Sequence, residues 1–334
     1  MSATATVVAH SNPQEVRNCP MCGAANELEL LKKREYRCNN CDLEQAYLDF
    51  APNGAVRGVF RWLLAIGEVV LDRYEIKSVL GKGGFGAAYL VDDLQLSGKR
   101  RALKEVPEML FDEYESSLLS RLDHPAIPDI SERKVLNGMA YLVLKFGGKC
   151  TLEDERRQNP EHRIPKEKLF PWMLQLCDVL TYLHNQSPPI IHRDLKPSNI
   201  LLGEDDRIML IDFGIAKEAK PDTMTQTLAH GASTPVYSPP EQVLGTGTNE
   251  RSDIYALGAT FYTLLTGQRP VSSSERLTGK ELIPPSKLVK GIPPLVEALI
   301  LKSMNLKAEL RPKTIKEFAE SLKRASNSRS RHYS

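Results

Sequence analysis

Residues 190–202 set a tight group of charged side chains between two apolar runs, and few folds accommodate that pattern. Ile190 and Ile191 lead in, and Ile200, Leu201 and Leu202 lead out. The turn between them carries His192, Arg193, Asp194, Lys196 and Asn199. A polar loop clamped at both ends by buried chain has a fixed backbone, so its reactive groups are held rigidly at a cleft. A second apolar stretch at residues 207–211 reads as a strand, and Asp212-Phe213-Gly214 follows it, eighteen residues after Asp194.

The segment IHRDLKPSNIL resembles the catalytic loop of eukaryotic-type protein kinases, and the tripeptide at 212–214 resembles that family's magnesium-binding motif. The resemblance implies a bilobal α+β kinase fold, with a small β-rich N-lobe and a large helical C-lobe. It also implies a division of labour. A serine or threonine hydroxyl is a poor nucleophile, and Asp194 would accept its proton and align it. Lys196 would neutralise charge on the transferring phosphoryl group, and a lysine there resembles serine/threonine rather than tyrosine kinases. Asn199 and Asp212 would hold Mg2+ (or Mn2+), since hard cations favour oxygen ligands. Arg193 beside Asp194 is the arrangement in which a phosphorylated loop residue pairs with arginine, and Thr223, Thr225 and Thr227 are the candidate phosphosites. Thr234 resembles the residue that positions substrate. Glu241 is kept although Pro239 departs from the family's Ala-Pro-Glu, and Arg311 is its expected partner. Asp253 is expected to brace the catalytic-loop backbone.

Upstream, residues 81–86 read Gly-Lys-Gly-Gly-Phe-Gly. Three glycines in that pattern also serve dinucleotide folds, where a helix follows; here residues 87–91 read as a strand, which favours a kinase hairpin. By the resemblance Gly81, Lys82, Gly83, Gly84, Phe85 and Gly86 close over the ATP phosphates, with Ala88 a smaller apolar lid than the family's usual valine. Residues 101–106 alternate with period two, placing Ala102, Lys104 and Val106 on one face, which is expected to point inward. A buried lysine needs a partner. Glu115, Leu118, Leu119 and Leu122 share one stripe of a helix, so Glu115 is offered to the core. The family pairs such residues: Lys104 would contact the α- and β-phosphates and Glu115 would fix it. Leu144 is the expected gatekeeper, and Gly147 and Leu201 complete the adenine site.

Four of the six cysteines fall in two CxxC knuckles, Cys19/Cys22 and Cys38/Cys41, separated by 15 residues. Two such turns aim four thiolates at one ion, and the segment resembles a zinc ribbon holding Zn2+. Leu28, Leu30 and Tyr36 are expected to lie in its short strands. A docking or structural role is expected for it. The basic cluster Lys32-Lys33-Arg34 with Arg37 is nearly cancelled by Glu27, Glu29 and Glu35, so nucleic acid is not the expected partner.

With 41% hydrophobic and 26% charged residues and a net charge of +2, the composition is that of an ordinary globular chain and calls for no polyanion. The opening MSATATVVAHSNPQ lacks the basic and apolar regions of a secretory signal. Residues 59–71 are too short to span a bilayer and carry Arg61 and Glu68, so no membrane insertion is expected and the location is cytoplasmic. The expected order is a flexible 1–17, a zinc ribbon at 18–50, a linker at 51–73, a kinase domain at 74–322 and a disordered 323–334. The expected activity is an ATP-dependent, autophosphorylating protein serine/threonine kinase with a ribbon for docking or regulation. A pseudokinase scaffold and a nucleic-acid-binding ribbon regulated by its kinase domain are the alternatives. The joint presence of Lys104, Glu115, Asp194, Asn199 and Asp212 argues for the enzyme.

Overall fold

The computed structural model describes residues 16–19, 22–34, 37–41, 48–50, 56–58, 64, 66–82, 86–213, 217–218 and 235–327. The chain divides into two units, Met1–Phe111 with Ser131–Phe146, and Asp112–Ile130 with Gly147–Ser334.

The first unit opens with strands β1 (Val16–Asn18) and β2 (Ala25–Glu27), antiparallel with Val16 opposite Glu27. Strand structure therefore starts inside the segment expected to be flexible. Helix α1 (Leu28–Lys33) follows, where strands were expected at Leu28 and Leu30. The run LELLKK consists of good helix formers, and Leu31 is buried at 1%. Tyr36 lies outside the described residues. A hairpin of β3 (Leu48–Phe50) and β4 (Val56–Gly58) comes next.

A six-stranded sheet carries the rest of this unit: β5 (Val69–Val70), β6 (Tyr74–Lys82), β7 (Ala87–Asp93), β8 (Lys99–Pro107), β9 (Ile130–Leu136) and β10 (Met139–Lys145), in the order β5-β6-β7-β8-β10-β9. The sheet thus begins before residue 74, since β5 recruits part of the expected linker. One face is apolar: Tyr74, Ile76, Val79, Tyr89, Val91, Leu103, Tyr141 and Val143 form its core. The alternation expected in β8 is present with its burial exchanged. Leu103 and Glu105 are buried at 0% and 4%, whereas Ala102, Lys104 and Val106 are half-buried. Leu103 belongs to the apolar core, and the register of β8 then carries Glu105 to the same side.

In the second unit α2 (Glu113–Arg121) is capped by Asp112, whose carboxylate accepts the Tyr114 amide at 2.9 Å. Glu115, Leu118, Leu119 and Leu122 are buried together, as their spacing predicts. Short strands β11 (Cys150–Thr151), β13 (Ile200–Leu202) and β14 (Ile208–Leu210) form one sheet, while β12 (Ile190–Ile191) pairs with β15 (Lys217–Glu218). Helices α3 (Leu152–Gln158), α4 (Lys166–His184), α5 (Pro240–Val243), α6 (Glu250–Thr266), α7 (Ser273–Leu277), α8 (Pro285–Leu288), α9 (Pro294–Ser303) and α10 (Ile315–Asn327) supply the rest. Helix α6 is buried from Ser252 to Thr266, so it has no solvated face and sits at the centre of the packing. It stops at Gly267 in the left-handed conformation, φ +77°, where a Cβ would press on the carbonyls of Glu161 and His162. The tail expected to be disordered from residue 323 is helical to Asn327. Ala325, buried at 1%, extends the stripe begun by Phe318 and Leu322.

Candidate active site and metal centre

Strands β12 and β13 hold the two ends of the charged loop, as the flanking isoleucines predict. Asp253 of α6, wholly buried, braces it: its Oδ2 accepts the His192 amide at 2.9 Å and its Oδ1 accepts the Arg193 amide at 3.0 Å. His184 of α4 holds the same Oδ2 at 2.8 Å. Burial pushes the Asp253 pKa up, yet the His184 contact and the two amides outweigh it and keep the carboxyl below its ordinary value. Arg193 adopts a left-handed φ of +70° at this bend. Its carbonyl accepts Gln242 Nε2 at 2.9 Å, a bond nothing in the sequence signals.

This bracing brings Asp194, Lys196 and Asn199 together. Lys196 Nζ donates to Asp194 Oδ2 at 2.7 Å, and Asn199 Nδ2 donates to the same oxygen at 2.8 Å and to the Asp194 carbonyl at 2.9 Å. Both side-chain bonds therefore fall on Oδ2. Burial raises the Asp194 pKa, and the nearby Asp212 charge adds to that, against the lowering effects of Lys196 and Asn199. A carboxylate held rigid and made more basic suits proton acceptance. His192 is fully buried, edge-on to Phe213 at 5.0 Å, and burial lowers its pKa, so it is a neutral core residue and not the base.

Asp212 follows β14 as an exposed residue with φ +66°, and the Ile211 amide donates to the Asn199 carbonyl at 2.9 Å, tying the two loops. The donor set fits a hard divalent cation: Asp212 offers a carboxylate, and Asn199, with its NH2 committed to Asp194, leaves its amide oxygen. Arg311 pairs with Glu241 as expected, at 2.7 Å. Gly147 and Leu201 lie in this unit, with Leu201 half-buried opposite Met209.

Of the remaining site residues, Gly81, Lys82, Ala88, Ala102, Lys104 and Leu144 lie on the sheet of the first unit. Gly81 pairs with Ala88 and Ala88 with Lys104, so these three stand in one row; Ala102 pairs with Leu144. Gly86 allows a close approach that a side chain would disturb, because a Cβ would collide with the Glu105 carbonyl oxygen. Lys82 ends β6, whereas Gly83, Gly84 and Phe85 lie outside the described residues, as do Gly214, Thr223, Thr225, Thr227 and Thr234. Lys104 belongs to the first unit and Glu115 to the second.

The four cysteines of the knuckles converge. All their Sγ atoms lie within 4.8 Å of one another, with Cys19 and Cys41 at 3.5 Å and Cys22 and Cys38 at 3.6 Å. A disulfide requires about 2.05 Å, whereas a tetrahedron with Zn–S bonds of about 2.3 Å has sulfurs about 3.8 Å apart. The cluster fits the latter. The Asn40 amide at 3.4 Å and Asn26 Nδ2 at 3.5 Å point at Cys38 Sγ, supplying the outer hydrogen bonds a thiolate ligand takes.

No helix among the described residues is long and apolar enough to cross a membrane. Residues 74–329 match the protein kinase domain family. The serine/threonine-protein kinase PknB of Mycolicibacterium smegmatis is 31% identical over 271 residues, covering 75% of this chain and 42% of the relative. A probable serine/threonine-protein kinase of Clostridium acetobutylicum is 30% identical over 275 residues, covering 78% and 41%. The chain thus spans about two fifths of the length of these curated relatives. Among solved structures, the apo form of PpkA-294 aligns with a TM-score of 0.66 at 28% identity, over 78% of this chain and 99% of that one.

Proposed function

The chain belongs to the protein kinase family, and from that premise we propose that it transfers the γ-phosphoryl group of ATP to serine and threonine hydroxyls of proteins, itself included. The observation that carries this reading is the Asp194 carboxylate, anchored through Oδ2 by both Lys196 and Asn199. Oδ1 is then the oxygen that receives the substrate hydroxyl's proton as oxygen attacks phosphorus and the bond to ADP breaks. Lys196, already 2.7 Å from Asp194, stabilises charge on the transferring group. Asn199 and Asp212 hold Mg2+ (or Mn2+), which neutralises phosphate charge when bound. Gly81 to Gly86, Ala88, Ala102, Lys104 and Leu144 serve the nucleotide, as do Glu115, Gly147 and Leu201. Phosphorylation among Thr223, Thr225 and Thr227 orders the activation segment through Arg193.

The four thiolates hold one Zn2+ in a module for docking or regulation, and the cytoplasm, with ATP and reduced thiols, is its setting. The scaffold alternative finds no vacant chemical role to rest on. The test is Mg2+-dependent phosphate incorporation from ATP into the chain and a generic serine/threonine substrate. Wild type should be active and Asp194→Asn should lose at least a hundredfold, with ATP binding retained. Equal activity in both would sink the reading.

A further inference from the structure

Glu105 is an acid in the wrong place for a surface residue. It is buried at 4%, on the apolar side of the sheet, immediately after Lys104. A carboxylate there is costly unless its oxygens are satisfied, and here each has its own donor. Tyr89 Oη donates to Oε2 at 2.9 Å and Tyr141 Oη donates to Oε1 at 3.1 Å.

The arrangement extends one step further. Tyr89 has a single hydroxyl proton, and Glu105 takes it. Its oxygen is thereby left to accept, and it accepts the backbone amide of Leu64 at 3.1 Å. Leu64 begins a strap that runs along the sheet edge. The Gly67 amide donates to the Ile76 carbonyl at 2.8 Å, the Ile76 amide donates to the Glu68 carbonyl at 2.9 Å, and β5 then pairs with β6. Leu64, Ile66 and Leu71 pack on the same apolar core that holds Tyr89 and Leu103. In chain order this strap is what joins the cysteine module to the sheet.

We propose that Glu105 is a positioning residue for Lys104, and that the chain Leu64–Tyr89–Glu105–Tyr141 is a buried latch through which the strap sets how well Lys104 meets the nucleotide. Glu105 and Lys104 are neighbours in one strand, so fixing one side chain on the core face fixes the strand's pleat and the direction of the other. The latch gives the segment between cysteine module and kinase domain a hold on the ATP-binding lysine, and release of the strap weakens that hold. This rests on the kinase reading only for the role of Lys104; the latch itself rests on the contacts above.

The experiment uses the full chain with Tyr89→Phe, which deletes one hydroxyl, and Glu105→Gln, which keeps shape but can no longer accept from both tyrosines. Two quantities are read: amide hydrogen exchange over residues 64–70, and KM for ATP and for a protein substrate, measured separately. Both variants should speed exchange in the strap and raise the ATP KM about three- to tenfold, the size expected for losing one charge-assisted hydrogen bond in part. The protein-substrate KM should stay within about twofold. A merely structural loss would lower the active fraction and so kcat, moving neither KM. An unchanged ATP KM in an active, folded Tyr89→Phe protein overturns the positioning role, and unchanged strap exchange overturns the latch. If wild type itself uses no ATP, the kinase reading and the Lys104 role fail together, while the exchange result still decides whether the latch exists.

Discussion

Arg311 grips both carboxylate oxygens of Glu241: Nη1 lies 2.7 Å from Oε1 and Nη2 2.9 Å from Oε2. Ser252 Oγ adds a third bond to Oε1 at 2.8 Å, and the remaining guanidinium protons go to the carbonyls of Asn305, Arg251 and Leu306. The guanidinium also lies 5.0 Å from the centre of the Tyr255 ring. The pair ties α5, which carries Glu241, to the loop before α10.

Removing Arg311 leaves the half-buried Glu241 carboxylate with the Ser252 hydroxyl but without its charged partner. Arg311→Met should cost about 3–5 kcal/mol of unfolding free energy, read by urea denaturation. Burial pushes the Glu241 carboxyl up, but Arg311 outweighs that and holds it below its ordinary value of 4.5. Its contribution is therefore complete above that value and lost as pH falls through the lowered one. Wild type should lose stability in that acid window more steeply than Glu241→Gln. Parallel stability–pH curves would refute the assignment.

The proposed proton acceptance by Asp194 should set the acid side of the rate profile. Because burial raises its pKa, the acid limb of kcat/KM should have its midpoint above the ordinary 3.8. Lys196 is the largest influence holding that pKa down, so Lys196→Met should move the limb to higher pH while lowering the rate. A limb that stays put in this variant would remove Lys196 from the electrostatics of the base.

Metal removal should act on the cysteine module first. The purified chain should carry about one zinc ion, with four thiols slow to react with a thiol reagent until a chelator is added. Cys19→Ser with Cys22→Ser should abolish stoichiometric zinc. Retention of metal in that double variant would place the site elsewhere.

Gly86→Ala tests the close approach of Gly86 to β8. The added methyl meets the Glu105 carbonyl, so the backbone at Gly86 must shift, at a cost of about 1–3 kcal/mol. The ATP KM should rise in parallel. A neutral outcome in both measurements would show that position 86 has room the geometry denies it.

Much of this protein was written in local order. The spacing of Cys19, Cys22, Cys38 and Cys41 determined a four-cysteine cluster, and the order of the glycine run, Lys104, the charged loop and Asp212 determined the family. Those signals survive in sequence because each is a short segment whose backbone must hold several reactive groups at fixed spacing. Even the stripe of α2 could be read, since period 3.6 places Glu115 with three leucines wherever the helix docks.

Tertiary structure decided the rest. Period two said that Lys104 and Glu105 face opposite ways; only the packing of Leu103 against Tyr74, Tyr89 and Val143 decided that Glu105 faces the core. Strands were expected at Leu28 and Leu30, but residues 28–33 form a helix with Leu31 buried. Asp253 and His184 meet across 69 residues, and Gln242 reaches the Arg193 carbonyl across 49. No local pattern encodes such contacts, because their partners are chosen by how whole elements pack and not by neighbours along the chain.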